Sequence, residues 1–236
     1  MTQTPRAPGP ALHTILLDVD GTLIDSNDGH ARAWVGALRA HGYVVPFEQV
    51  RPLIGMGGDK LTPQLTGLDP ESSEAERIGK TRSELFLGEE LPTLQATRGA
   101  RQLLEHLLGL GLELVVATSA KEDEAGALLE RAGVSDLIQL ASSADDAERS
   151  KPDPDIVQAA LRLSRSQVIH SVMIGDTPYD VEAAARARVP AIALRCGGWW
   201  DDAALAKATA IYDDPADLLA QFDDSPLGRA VARAAS

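Results

Sequence analysis

The sequence predicts an α/β fold: a doubly wound parallel sheet into which an all-helical segment is inserted. Three observations carry that prediction. First, short apolar runs recur at 13–17, 112–117, 137–140, 171–174, 191–194 and 210–212, each short enough to be a strand. Second, helical stretches separate most of the later runs, and strands alternating with helices of this length build a parallel sheet covered on both faces. Third, no strand pattern appears between about 27 and 96, so that stretch reads as a helical insert. The expected organisation is a Rossmann-like core over 12–26 and 97–236, the insert over 27–96, and a disordered tail over 1–11.

The elements follow in order. His13-Thr14-Ile15-Leu16-Leu17 has no polar face, as expected for a strand buried on both sides. Ser26-Asn27-Asp28 supplies N-cap chemistry for a helix through His30, Trp34, Leu38 and His41, which Gly42 closes. A second helix is expected after Pro46, from Phe47 to about Ile54. Gly55-Met56-Gly57-Gly58-Asp59-Lys60 is too glycine-rich for a regular element and reads as a loop. Leu61 to Leu68 and Glu74 to Leu87 read as helices. Beyond Gly99, helices are expected over 100–108, 122–132, 155–163 and 180–187, each leading into the next apolar run.

Composition narrows the function. A chain of 236 residues with 44% hydrophobic residues can bury a sizeable core. Its formal charge of −13 argues against nucleic acid or an anionic membrane as partner, because both need basic clusters. The single cysteine, Cys196, excludes an internal disulfide and a cysteine-rich zinc site. No apolar run approaches the roughly 20 residues of a membrane helix. The opening Thr2 to Pro10 is Pro-rich and lacks the apolar centre of a signal peptide, so a cytoplasmic location is expected.

The chemistry gathers at strand ends. The first run ends in Asp18-Val19-Asp20-Gly21-Thr22, the second in Thr118-Ser119, and a later one in Gly175-Asp176, with Asp180 four residues on. Lys151 lies between the last two. Parallel strands bring all these groups to one edge of the sheet, where open α/β sheets place their ligands. Asp18, Asp20, Asp176 and Asp180 would repel one another at neutral pH. A hard divalent cation with oxygen ligands, most simply Mg²⁺, removes that conflict.

These residues resemble the motifs of the haloacid dehalogenase-like hydrolase superfamily. Asp18-Val19-Asp20-Gly21-Thr22 is similar to its first motif, Thr118 to the second, Lys151 to the third, and Gly175-Asp176-Thr177-Pro178-Tyr179-Asp180 to the fourth. Four motifs in order make the resemblance specific, and it spans essentially the whole chain after the tail. The insert resembles the helical cap of the phosphoglycolate phosphatase and β-phosphoglucomutase branch.

The resemblance implies a Mg²⁺-dependent phosphatase acting on a small phosphorylated metabolite, with phosphoglycolate as the first guess. Asp18 would attack phosphorus and form an aspartyl-phosphate. Asp20 would act as acid and base, which calls for a pKa above that of a free Asp. Asp18, the Asp20 backbone carbonyl and Asp176 would hold the metal; Asp180 would either ligate it or orient Asp176. Thr118 and Lys151 would hold phosphoryl oxygens.

Substrate contacts are expected from His30 on the first cap helix, from Ser119, Lys121 and Glu122, and from Gly57, Gly58 and Lys60 of the cap loop. Trp34 and the Trp199-Trp200 pair read as packing. Dehalogenases of the superfamily lack the second acid that Asp20 supplies here. A sugar-phosphate mutase is the weaker alternative, since Gly175 and Gly57-Gly58 replace the glutamate and the cap arginine of that branch. A phospho-accepting signalling module would lack both the helical insert and the acid two residues after the nucleophile.

Overall fold

The computed structural model describes residues 12–234, so the expected tail lies outside the described residues. Strand β1 (Thr14–Leu17) opens the sheet. The insert follows as helices α1 (Asn27–Ala40), α2 (Phe47–Val50), α3 (Gly58–Thr66) and α4 (Ser73–Leu85). The chain continues through α5 (Ala100–Gly109), β2 (Glu113–Ala117), α6 (Glu122–Arg131), β3 (Leu140–Ser142) and α7 (Asp155–Leu163). It ends with β4 (Ser171–Gly175), α8 (Pro178–Arg186), β5 (Ala191–Leu194), β6 (Ala210–Tyr212), α9 (Pro215–Ala220) and α10 (Pro226–Ala234).

All neighbouring strands run parallel, in the order β3-β2-β1-β4-β5-β6. Every residue of β1 is buried, which explains the unbroken apolar run. Ile15 and Leu17 pack with Leu103, Leu107, Leu128, Leu218 and Leu227 on one face. Leu16 packs on the other with Val115, Met173, Ile156, Val157 and Val181. Each such aliphatic side chain contributes roughly 1.5–3 kcal/mol by leaving water. The insert has an apolar centre of its own, built from Trp34, Leu38, Val50, Leu61 and Ile78. No helix among the described residues is long and apolar enough to cross a membrane.

Several local expectations shift. The strand expected at 137–140 begins only at Leu140, and a 3₁₀ turn occupies Ser135–Leu137. β3 is an edge strand whose register is set by pairing Leu140 to Ser142 against Val115 to Ala117. The helix expected to reach Ile54 stops at Val50 and continues as a 3₁₀ turn over Arg51–Leu53, because Pro52 has no N–H to extend it. The glycine-rich stretch is only partly a loop. Helix α3 starts at Gly58, and the Lys60 and Leu61 amides donate to the Gly57 carbonyl. Helices α9 and α10 have no counterpart in the sequence reading; Leu218 and Leu227 anchor them to the core.

Candidate active site

Register places the key residues at one rim. Leu17 lies opposite Val116 of β2 and Ile174 of β4. Asp18, Thr118 and Asp176 therefore leave the sheet side by side, at the switch point between strands that diverge from β1. Tight backbone packing holds them there. Gly21 has a φ of +73°, and a side chain at Gly21 or Gly197 would run into the Asp176 carboxylate.

Asp18, Asp176 and Asp180 each present a carboxylate oxygen within 4.8 Å of the others, and all three are buried. The buried Lys151 Nζ lies 2.5 Å from Asp18 Oδ1 and 2.6 Å from Asp180 Oδ1. The other Asp180 oxygen accepts from the Thr177 amide at 3.0 Å and the Thr177 hydroxyl at 2.6 Å. Asp180 thus orients Lys151 and caps α8. The Thr22 hydroxyl lies 3.3 Å from both Asp18 Oδ2 and Asp176 Oδ1, and Asn27 Nδ2 donates to Asp176 Oδ2 at 2.7 Å.

One ammonium does not balance three buried carboxylates. Burial and the Asp180 charge push Asp18 up to about 7 even though Lys151 opposes the rise. Burial, Asp18 and Asp180 together hold Asp176 well above the usual carboxylate range. Lys151 shows the complement: burial disfavours its charge, yet Asp18 and Asp180 hold it above the ordinary lysine value. Asn27 Oδ1, beside this cluster, is buried without a hydrogen-bond partner. A buried, all-oxygen donor set with excess negative charge suits a hard divalent cation.

Asp20 is handled differently. Its Oδ1 accepts from the Ser26 hydroxyl at 2.5 Å and lies 2.7 Å from His30 Nε2. Ser26 is thereby diverted from the capping role expected of it and makes no side-chain bond to the start of α1. The expected upward pKa shift does not appear. Burial works in that direction, but the charge and hydrogen bond of His30, the Ser26 hydroxyl and Arg82 outweigh it and leave Asp20 below its usual value. A site crowded around its neighbours is, at this carboxylate, rich in donors.

Between rim and insert lies a cavity whose lining includes Asp18, Asp20, His30, Trp34, Gly57, Gly58, Arg82, Thr118, Ser119 and Glu124. Thr118 accepts the Ala120 amide at 3.1 Å, which leaves its O–H to donate. It caps no helix, since α6 starts only at Glu122. Ser119 donates to the Gly55 carbonyl at 3.3 Å and so joins the sheet rim to the insert.

Three expected contacts lie elsewhere. Lys121 and Glu122 are exposed at the start of α6, outside the cavity lining. Lys60 pairs with Asp153, and Asp59 accepts from the Ser150 amide at 3.2 Å. These cap-loop side chains clamp insert to core. The Gly57 amide adds to the clamp by donating to Ser150 Oγ at 3.0 Å.

Four contributors escape the sequence reading. Thr22 and Asn27 stand inside segments already singled out, but nothing in a single sequence distinguishes an Asn that holds a carboxylate from one that caps a helix. Arg82 and Glu124 sit among other charges on α4 and α6 and carry no local signal.

The family model described as "Haloacid dehalogenase-like hydrolase" matches residues 15–194, which contain every one of these rim residues. The chain belongs to the haloacid dehalogenase-like hydrolases. Among curated relatives of this family, a phosphoglycolate phosphatase of Rhodospirillum rubrum is 30% identical over 213 residues, covering 86% of this chain and 88% of its own. A validoxylamine A 7'-phosphate phosphatase of Streptomyces hygroscopicus subsp. limoneus is 28% identical over 210 residues, covering 84% and 92%. The solved structure of a hydrolase from Pseudomonas syringae superposes with a TM-score of 0.83 at 30% identity, covering 90% of this chain and 98% of that one. This haloacid dehalogenase-like hydrolase is thus an enzyme of the phosphoric monoester hydrolase class.

Proposed function

We propose that the enzyme hydrolyses a small phosphate monoester with Asp18 as nucleophile and Mg²⁺ as cofactor. One observation carries the reading: Asp18 stands at the sheet rim between Lys151, Asp176 and the cavity that the insert closes. An Asp18 oxygen attacks phosphorus, the bond from phosphorus to the ester oxygen breaks, and an aspartyl-phosphate remains. Asp20 delivers a proton to the leaving oxygen from the pair it forms with His30 Nε2. The same carboxylate then takes a proton from water, whose oxygen attacks phosphorus and frees Asp18. A lowered pKa suits this second step, because the carboxylate must be ionised to act as base. Lys151 and the Thr118 hydroxyl hold phosphoryl oxygens. Asp18, the Asp20 backbone carbonyl and Asp176 would hold Mg²⁺, with Asp180 fixing Lys151. Bound there, Mg²⁺ supplies positive charge against the phosphoryl oxygens. The insert acts as a cap over 27–96 that excludes water from the first step.

The two curated relatives carry different esters in their names, which supports the reaction and leaves the leaving group open. A mutase would have to return the phosphoryl group to a sugar, and nothing in the cavity favours that over transfer to water.

The test is phosphate release from p-nitrophenyl phosphate with Mg²⁺ and with EDTA. Release is expected only with the metal, and equal rates in EDTA would sink the metal's role. Asp20→Asn should slow turnover by about 10²–10⁴-fold while leaving metal affinity nearly intact. Wild-type turnover in that variant would remove Asp20 from proton transfer.

Mg²⁺ should also stabilise the fold. At about 100 times its Kd it is expected to add roughly 2.7 kcal/mol, or several degrees in Tm. The sign of the pH effect follows from Asp18. Its folded pKa of about 7 exceeds the unfolded 3.8, so the folded state binds more protons in that window. The metal-free protein therefore loses stability as pH rises from about 4 to 7. Thermal melts across pH should show the Mg²⁺ increment growing over the same window.

A further inference from the structure

Several cations of the insert already have anions of their own. Arg82 Nη1 lies 2.7 Å from both carboxylate oxygens of Glu124, and these side chains are only 15% and 6% exposed. Lys60 pairs with Asp153, and Arg51 Nε donates to Asp28 at 2.5 Å. Lys151 stands at the phosphoryl end, between Asp18 and Asp180. Among the described residues lining the cavity, Arg82 is the one lysine or arginine, and Glu124 cancels its charge.

We infer that the Arg82–Glu124 pair is a specificity filter, favouring esters whose leaving group is neutral and hydroxylated over those carrying a second anionic group. The inference rests on the phosphatase reading and deepens it. A substrate carboxylate entering beside Glu124 meets a like charge in a site sheltered from water. Taking Arg82 for itself gains little, because Glu124 is then left buried with only His30 Nδ1, 4.0 Å away, beside it. A hydroxyl group meets neither cost. Arg82 Nε is a buried donor with no hydrogen-bond partner, and a hydroxyl oxygen satisfies it without displacing Glu124. Trp34, with the Arg82 guanidinium 5.5 Å from its ring centroid, gives the carbon skeleton an apolar wall. Phosphoglycolate, the first guess from the family resemblance, is on this view a poor substrate, since it carries a carboxylate.

The matched probes are 2-hydroxyethyl phosphate and 2-phosphoglycolate, which share a two-carbon skeleton and differ in CH₂OH against carboxylate. Each is assayed as a substrate by phosphate release, and the ratio of the two kcat/KM values is read. The wild type should favour the hydroxyethyl ester by about tenfold or more. Glu124→Gln frees the Arg82 charge and should move the ratio about tenfold toward phosphoglycolate, whereas Arg82→Gln takes from Glu124 its nearest cation and should move it the other way. A purely structural role for the pair would lower both specificities together and leave the ratio still. If Glu124→Gln does not fold, the wild-type ratio and Arg82→Gln carry the test. A wild-type preference for phosphoglycolate, or a ratio unmoved by the variants that fold, overturns the filter. Failure to hydrolyse p-nitrophenyl phosphate would instead remove the phosphatase reading, and the filter with it.

Discussion

Asp18→Asn is expected to reduce phosphate release from p-nitrophenyl phosphate by on the order of 10⁴-fold or more, with the fold intact. The amide has nearly the shape of the carboxylate but no nucleophilic oxygen at neutral pH. Folding should not suffer, and in the metal-free protein it should improve. The wild-type carboxylate is buried beside Asp180 and resists ionisation up to about 7, so a neutral group there relieves a charge conflict. Lys151 keeps Asp180 as its partner at 2.6 Å. The stabilisation by Mg²⁺ should shrink, because one of the proposed ligands has lost its charge. Activity and metal-free stability therefore move in opposite directions, which separates a lost nucleophile from a damaged fold. Near-normal turnover in a well-folded Asp18→Asn protein would refute the assignment.

Lys151→Met is expected to cost about 3–5 kcal/mol in stability above neutral pH, and to remove activity as well. That is a large share of the roughly 5–15 kcal/mol holding an ordinary domain together. Methionine fills most of the lysine's volume, so the loss comes from charge. Lys151 is 1% exposed, and its ammonium lies against two buried carboxylates. Without it, Asp18 either ionises uncompensated or takes up a proton. Near pH 5 the wild-type Asp18 is already largely protonated, given its value of about 7, and there is less attraction to lose. The destabilisation should thus be smaller at pH 5 than at pH 8, as read by denaturant unfolding. An equal loss at both would mean that packing, and not charge, sets the effect.

Strand ends were the legible part of the site. Asp18, Thr118 and Asp176 each follow an apolar run directly, and in a parallel sheet such residues share a rim whatever the loops do. Lys151 and Asp180 were legible through spacing and motif order. The cap contacts were harder to read. Lys60 looks like a substrate contact in a glycine-rich loop, yet it finds Asp153, 93 residues away, and becomes a clamp. Lys121 has an inviting place after Thr118 but turns to solvent at the start of α6. Arg82 and Glu124, 42 residues apart, meet only in the folded chain, where the Arg82 side chain of α4 reaches Glu124 of α6. Asp20 taught a similar lesson: crowding suggested a raised pKa, but His30 of α1, Ser26 just before it and Arg82 of α4 reverse it.

By itself, the sequence determined that this protein has an alternating sheet core, a helical stretch between its first two strands, and a group of acids with a lysine at one edge. Those features follow from local periodicity and from residues bound to strand ends, which chain connectivity dictates. Only the tertiary structure decided which charges neutralise which and how the insert is clamped to the core. Electrostatic pairing depends on distances between segments far apart in the chain, and no local pattern of residues encodes them.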